Sequence, residues 1–207
     1  MSNLDAIRQR ILTDDDFVLS EVRKLQYTFG LKREIRYGLN RGKLIDTESV
    51  AEHIYGMQVL ADYFLQCDTN NLTQSTVYRT ITWHDMDELK TGDTISWKKT
   101  NQQIKEEKSA YLEVVPELPD IIQTCVAKCV EAYENHSTPE ARFVKALDKI
   151  EPLFHLYTTA GKTWCIQVGL TRHDSERIKK GYTEQYPCLH RFVEVLHKAM
   201  EREGFFN

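Results

Sequence analysis

Ser49-Val50-Ala51-Glu52-His53-Ile54-Tyr55-Gly56-Met57-Gln58-Val59-Leu60-Ala61-Asp62-Tyr63-Phe64 is the stretch on which the reading of the fold turns. It opens with a serine three residues ahead of a glutamate, the pattern in which hydroxyl and carboxylate satisfy the orphan amide donors of a helix start. From there Val50, Ile54, Met57, Leu60, Ala61 and Phe64 recur at helical spacing, so one side of the helix is apolar. His53 sits at the edge of that side and points inward. A lone imidazole so placed is more often a hydrogen-bonded core group than a ligand; the rest of the chain decides which.

Working outward, a helix is expected from about Ser75 through Val77, Ile81, His84, Asp85 and Glu88, with Gly92 as its left-handed cap. Another runs from Pro139, a plausible first-turn residue, to about His155 and carries Asp148, with Pro152 expected to kink or end it. Further helical patterns cover about Asp14 to Tyr27 (stripe Val18, Val22, Leu25), Lys105 to Val114, Pro119 to Glu134, Ser175 to Lys180 and Gln185 to Arg202. Alternating strand patterns are nearly absent, so the fold class is all-α, a single helical bundle. Between Gly30 and Lys43 lies an irregular basic stretch holding Lys32, Arg33, Arg36, Arg41 and Lys43, broken by Gly38 and Gly42; a long loop of this kind often serves function.

Composition narrows the classes. The chain of 207 residues is 41% apolar and 28% charged, enough for one domain with a substantial core. Its formal charge of -4 comes from 31 acidic and 27 basic residues in a mixed distribution, which disfavours a stable nucleic-acid partner. The start shows no charged-then-apolar leader and no run is long enough to span a bilayer, so a soluble, cytoplasmic protein is expected. The five cysteines, Cys67, Cys125, Cys129, Cys165 and Cys188, lack zinc-ribbon spacing and are read as free thiols.

His53, His84, Asp85 and Asp148 give two imidazoles and two carboxylates on three helical segments. Such a set fits one divalent ion, whether manganese, cobalt, magnesium, iron or zinc. Glu88, four residues past His84 and three past Asp85, shares their flank. Asp93 follows a glycine that could fold it back over the site, and the planar fork of Arg36 suits phosphoryl oxygens. His190, Glu194 and His197 share one face of the last helix, but their spacing reads as an exposed amphipathic face rather than a second metal site. Trp83, Trp97 and Trp164 are read as core or rim fillers, with Trp83 close enough to line a pocket.

Ser49-Val50-Ala51-Glu52-His53, the run Trp83-His84-Asp85-Met86-Asp87-Glu88-Leu89-Lys90-Thr91-Gly92-Asp93 and Lys145-Ala146-Leu147-Asp148 together resemble the HD-domain superfamily of metal-dependent phosphohydrolases. Within it they are similar to the 5'-deoxynucleotidase branch. That resemblance implies one HD-type domain over 1–207, with a motif core of about 31–156 and helices at 175–202 packed on it. It implies His53, His84, Asp85 and Asp148 as metal ligands, Arg36 as the phosphate-binding residue, and Glu88 and Asp93 as the catalytic carboxylates. Glu88 would orient the attacking water and Asp93 would deliver a proton at the 5'-oxygen. Also implied are a homodimer, manganese or cobalt as activator, and a nucleoside monophosphate substrate. Release of triphosphate from nucleoside triphosphates is an alternative, as is a nucleotide-binding regulatory module without turnover. Relatives place a tryptophan soon after the arginine, whereas this chain reads Arg36-Tyr37-Gly38-Leu39.

Overall fold

The structure, a computed structural model, describes residues 3–36, 48–67, 71–94 and 99–206. Gly38, Arg41, Gly42, Lys43, Trp97 and the Tyr37-Gly38-Leu39 departure lie outside these residues. The described residues form helices α1 (Asn3–Thr13), α2 (Asp15–Thr28), α3 (Val50–Cys67), α4 (Gln74–Trp83), α5 (Glu88–Thr91), α6 (Asn101–Val114), α7 (Asp120–Glu134), α8 (Pro139–Leu156), α9 (Thr159–Val168), α10 (Arg172–Arg177), α11 (Lys180–Thr183) and α12 (Pro187–Arg202). Among them no strand occurs, only an isolated antiparallel bridge between Ile35 and Ser49. The all-α expectation holds.

Helix α8 is the axis of the bundle. Helices α3, α4 and α7 pack around it and around one another, and α9, α11 and α12 close its other side. It is therefore buried on nearly every face, by Phe143, Val144, Ala146, Leu147, Ile150, Leu153 and Leu156. Each large apolar side chain so buried stabilises the fold by about 1.5–3 kcal/mol. Met57, Ala61 and Phe64 of α3 and Val77 and Ile81 of α4 join the same core, while Met86, Val114, Leu118, Val126 and Val130 form a second cluster. The helix starts follow local chemistry. Ser49 and Glu52 make the expected reciprocal cap, with Ser49 N donating to Glu52 Oε2 at 2.6 Å and Glu52 N to Ser49 Oγ at 3.3 Å, and Thr138 caps α8 ahead of Pro139.

Four details differ from the sequence reading. The helix expected from Ser75 to Gly92 is interrupted after Trp83, where Met86 N, Glu88 N and Leu89 N bond to the carbonyls three residues back, those of Trp83, Asp85 and Met86. This tighter winding buries Met86 in the second cluster and turns His84 and Asp85 away from a continuous helical face. Gly92 has the expected positive φ of 67°, but with an extended ψ of 164°. Pro152 does not end α8, which runs on to Leu156. The stripe on α2 forms as a helix but is not covered: Val22 and Leu25 are exposed. Trp164 is buried and Trp83 packs against the second cluster, as expected of fillers.

His197 overturns the expectation of an exposed face, because it is 1% exposed. Its Nε2 lies 2.9 Å from Ser175 Oγ, which accepts from Lys179 Nζ at 3.0 Å. The serine hydroxyl can serve both partners at once, so a neutral His197 is satisfied here. Burial, helped by the Lys179 charge, lowers its pKa from 6.5 to about 4. As pH falls through this window the unfolded chain takes up a proton that the folded chain refuses, so stability is lost on acidification. A wild-type protein should lose up to about 3 kcal/mol from this group between pH 6.5 and pH 4. Urea titrations across that range should show the His197→Gln variant losing correspondingly less; equal losses in the two proteins would contradict the assignment.

Candidate metal centre

The site is built where the polar positions of α8 meet α3 and the 84–87 turn. Lys145, Asp148, Glu151 and His155 are spaced three, three and four residues apart, which stacks them along one side of the helix. Asp148 and Glu151 are 8% and 5% exposed, so both require partners.

His53, wholly buried on α3, finds one of each. Its Nδ1 lies 2.7 Å from Glu151 Oε2, and its Nε2 is 3.6 Å from Asp148 Oδ1 and 3.8 Å from Asp85 Oδ2. His84 is held by its backbone neighbour, with Nδ1 2.9 Å from the Ile81 carbonyl oxygen. A carbonyl can only accept, so His84 Nδ1 carries the hydrogen and Nε2 presents a lone pair. The Glu151 carboxylate imposes the same tautomer on neutral His53. The two ring centroids lie 5.6 Å apart with the planes tilted by 52°, and His84 Nε2 lies 3.0 Å from Asp85 Oδ2.

Neither Nε2 has a hydrogen-bond partner, although both are buried. Ligand atoms of His53, His84 and Asp148 lie within 4.8 Å of one another, and Asp85 adjoins them through both imidazoles. Two orphaned imidazole nitrogens aimed at two carboxylates form a donor set that fits one divalent cation. Glu48, His53 and Glu151 form a second group of possible ligands. There, however, His53 Nδ1 already bonds Glu151, and Arg36 Nη1 sits 3.0 Å from Glu48 Oε1 and 3.6 Å from Glu151 Oε2.

The electrostatics agree. Although burial and Arg36 oppose it, Glu151 and Asp148 raise the His53 pKa to about 9. Negative potential that holds a proton there would also hold a metal. Burial works against the charge on Asp85 and Asp148, yet His84 lowers the first and Lys149 and His53 the second, well below the usual carboxylate range. Asp148 also accepts from Tyr133 Oη at 2.9 Å and Lys149 Nζ at 2.6 Å, and Lys145 Nζ lies 3.7 Å away. Both lysines thus offset the Asp148 charge inside the site.

Arg36 and Asp93 meet at the rim, Nε to Oδ1 at 3.6 Å. The backbone that places Arg36 is clamped by its N bonding the Glu48 carbonyl and by Val50 N bonding that of Glu34, while Asp93 N bonds the Glu34 side chain at 3.3 Å. Glu88, 8% exposed, has one carboxyl oxygen without a partner, and burial beside Asp85 and Asp93 pushes its pKa well up. Burial and Asp85 likewise push Asp87 up to about 8. All seven residues singled out from the sequence thus converge on one cleft or its floor. Missed from the sequence were Glu151, Glu48 and Tyr133 as partners. For Glu151 a signal existed, an acid one turn beyond Asp148 on the same side of the helix.

Residues 30–189 match the HD-domain family model, and the chain belongs to that family. Over 123 residues it is 34% identical to a 5'-deoxynucleotidase of Xenopus laevis, covering 58% of this chain and 60% of the relative. It is 28% identical over 116 residues to a 5'-deoxynucleotidase of Schizosaccharomyces pombe, covering 53% and 57%. The chain therefore spans about three-fifths of the length of these curated relatives. The fold is similar to that of a predicted metal-dependent phosphohydrolase from Magnetospirillum magnetotacticum MS-1, with TM-score 0.76, 22% identity, and 91% and 97% of the two chains covered. Membership implies a divalent cation, and the donor set described above fits one.

The Glu151 contact should control cation affinity. Removing such a carboxylate behind a ligating imidazole costs about 10- to 100-fold. Titration calorimetry with manganese should show that loss for Glu151→Ala and a smaller one for Glu151→Gln, which keeps an acceptor; wild-type affinity in Glu151→Ala would refute the role.

Proposed function

We propose that the protein is a metal-dependent 5'-deoxynucleotidase, releasing phosphate from deoxynucleoside monophosphates. The observation that carries this reading is the pair of orphaned Nε2 atoms facing Asp148 and Asp85, with Arg36 and Asp93 paired at the rim of the same cleft. His53, His84, Asp85 and Asp148 would hold the ion, which when bound polarises phosphoryl oxygens and makes water more acidic. Arg36, propped from behind by Glu48, offers its fork to the phosphate. Asp93, paired with Arg36 at the rim of the cleft, is placed to give a proton to the leaving 5'-oxygen. Glu88 orients the water and takes its proton, so that the phosphorus–oxygen bond to the nucleoside breaks with both protons accounted for.

Similarity to 5'-deoxynucleotidases, rather than to triphosphohydrolases, favours the monophosphate substrate. In this reading 1–207 is one cytoplasmic HD domain, activated by manganese or cobalt. It forms a homodimer, for which the exposed row Tyr55, Val59 and Tyr63 offers an apolar surface. No helix among the described residues is long and apolar enough to cross a membrane.

Manganese-loaded protein should release inorganic phosphate from deoxynucleoside monophosphates in a panel of mono- and triphosphates, ribo and deoxy. Inorganic triphosphate released from a deoxynucleoside triphosphate would overturn the proposal, as would tight nucleotide binding without turnover. Asp85→Ala should lose metal and activity together. Glu88→Gln should keep the metal and lose kcat by a factor of about 10^2 to 10^4.

A further inference from the structure

Behind the metal centre lies a recess of about 50 Å³ that shares Arg36, Asp93, Asp148 and Lys149 with the open cleft. Leu153, Leu156, Leu170 and Met200 form its apolar wall, and Ser175 and Lys179 its closed polar end. Lys179 is 4% exposed, and its Nζ donates to Ser175 Oγ at 3.0 Å. Among the described residues no carboxylate forms an ion pair with it. An ammonium has three donors; one neutral hydroxyl satisfies one of them. A buried cation left in that condition is costly, and burial, with the like charge of Lys149, lowers its pKa to about 7.

The size of the recess limits what could compensate it. One water needs about 10–15 Å³ by this measure, so the space suits roughly three to five oxygen-sized atoms, the scale of a phosphoryl group and too small for a sugar or base. Arg36 and Lys149 flank the same space from the cleft side.

We infer that Lys179 is a further phosphate-binding residue, which meets an oxyanion of a phosphoryl group entering this recess between it, Arg36 and Lys149. Ser175 is its positioning residue, itself oriented by His197. The inference rests on the phosphohydrolase reading of the cleft. The oxyanion belongs either to the esterified substrate or to the released phosphate.

Calorimetric titration of inorganic phosphate into the manganese-loaded protein tests this without turnover. Lys179→Met should raise the phosphate Kd about tenfold or more, with manganese affinity unchanged and a thermal midpoint no lower than wild type. Ser175→Ala should raise the Kd several-fold, and it decides the matter if Lys179→Met does not fold. If KM for a deoxynucleoside monophosphate rises in parallel, the recess holds the substrate phosphoryl group; if only the phosphate Kd moves, it holds the product. An unchanged phosphate Kd in either variant, or a wild type that binds no phosphate, overturns the inference. Phosphate bound through Lys179 in a protein that hydrolyses no nucleotide would sink the nucleotidase reading alone, whereas nucleotide hydrolysis with an unchanged Lys179→Met Kd would sink this inference alone.

Discussion

The 2.7 Å contact between His53 Nδ1 and Glu151 Oε2 is the constraint on which the site depends. A carboxylate at Nδ1 fixes ring orientation and tautomer together, so that Nε2 can only face Asp148 and Asp85. The contact also ties α3 to α8, whose packing makes the main core. Site and fold are thus held by the same pair of helices. Gly56 shows how closely they approach: a Cβ there would meet Glu151 Oε1 at 2.8 Å.

Charge balance explains the surrounding residues. Placing Asp148 and Glu151 on the most buried helix concentrates negative charge in the core, and Arg36, Lys145 and Lys149 gather around it. These cations offset the acids without filling the space between the imidazoles. Arg36 is held between Glu48 inside and Asp93 at the rim, which couples the rim of the cleft to the candidate metal centre through one side chain. The Ser175–His197–Lys179 string extends this logic away from the centre, since a neutral imidazole leaves Lys179 without a negative partner.

Much of this was legible in the sequence because local chemistry writes it there. Ser49 and Glu52 announce a helix start by themselves, and the periodic apolar residues of α3 place His53 inward without tertiary information. The joint presence of His53, His84-Asp85 and Asp148 singled out four groups that the structure brings together. Of the two outcomes expected at Pro152, a kink or an end, the end does not occur, because tertiary burial of α8 outweighs the loss of one helical hydrogen bond. The break at residues 84–87 was hidden because burial of Met86 in a second core decides it, and that core comes from residues far along the chain. Lys179, in the turn between α10 and α11, and His197, on α12, were unreadable for the same reason: exposure of a polar residue is set by what packs over it from elsewhere in the chain.

Crystals of the manganese-loaded protein, measured for anomalous scattering at the manganese edge, test the central claim most directly. The account predicts a single peak bonded to His53 Nε2, His84 Nε2 and one oxygen each of Asp85 and Asp148, with His53 Nδ1 still against Glu151. A peak seated between Glu48 and Glu151 on the other side of His53, or an ion that leaves Asp148 unbound, would contradict it.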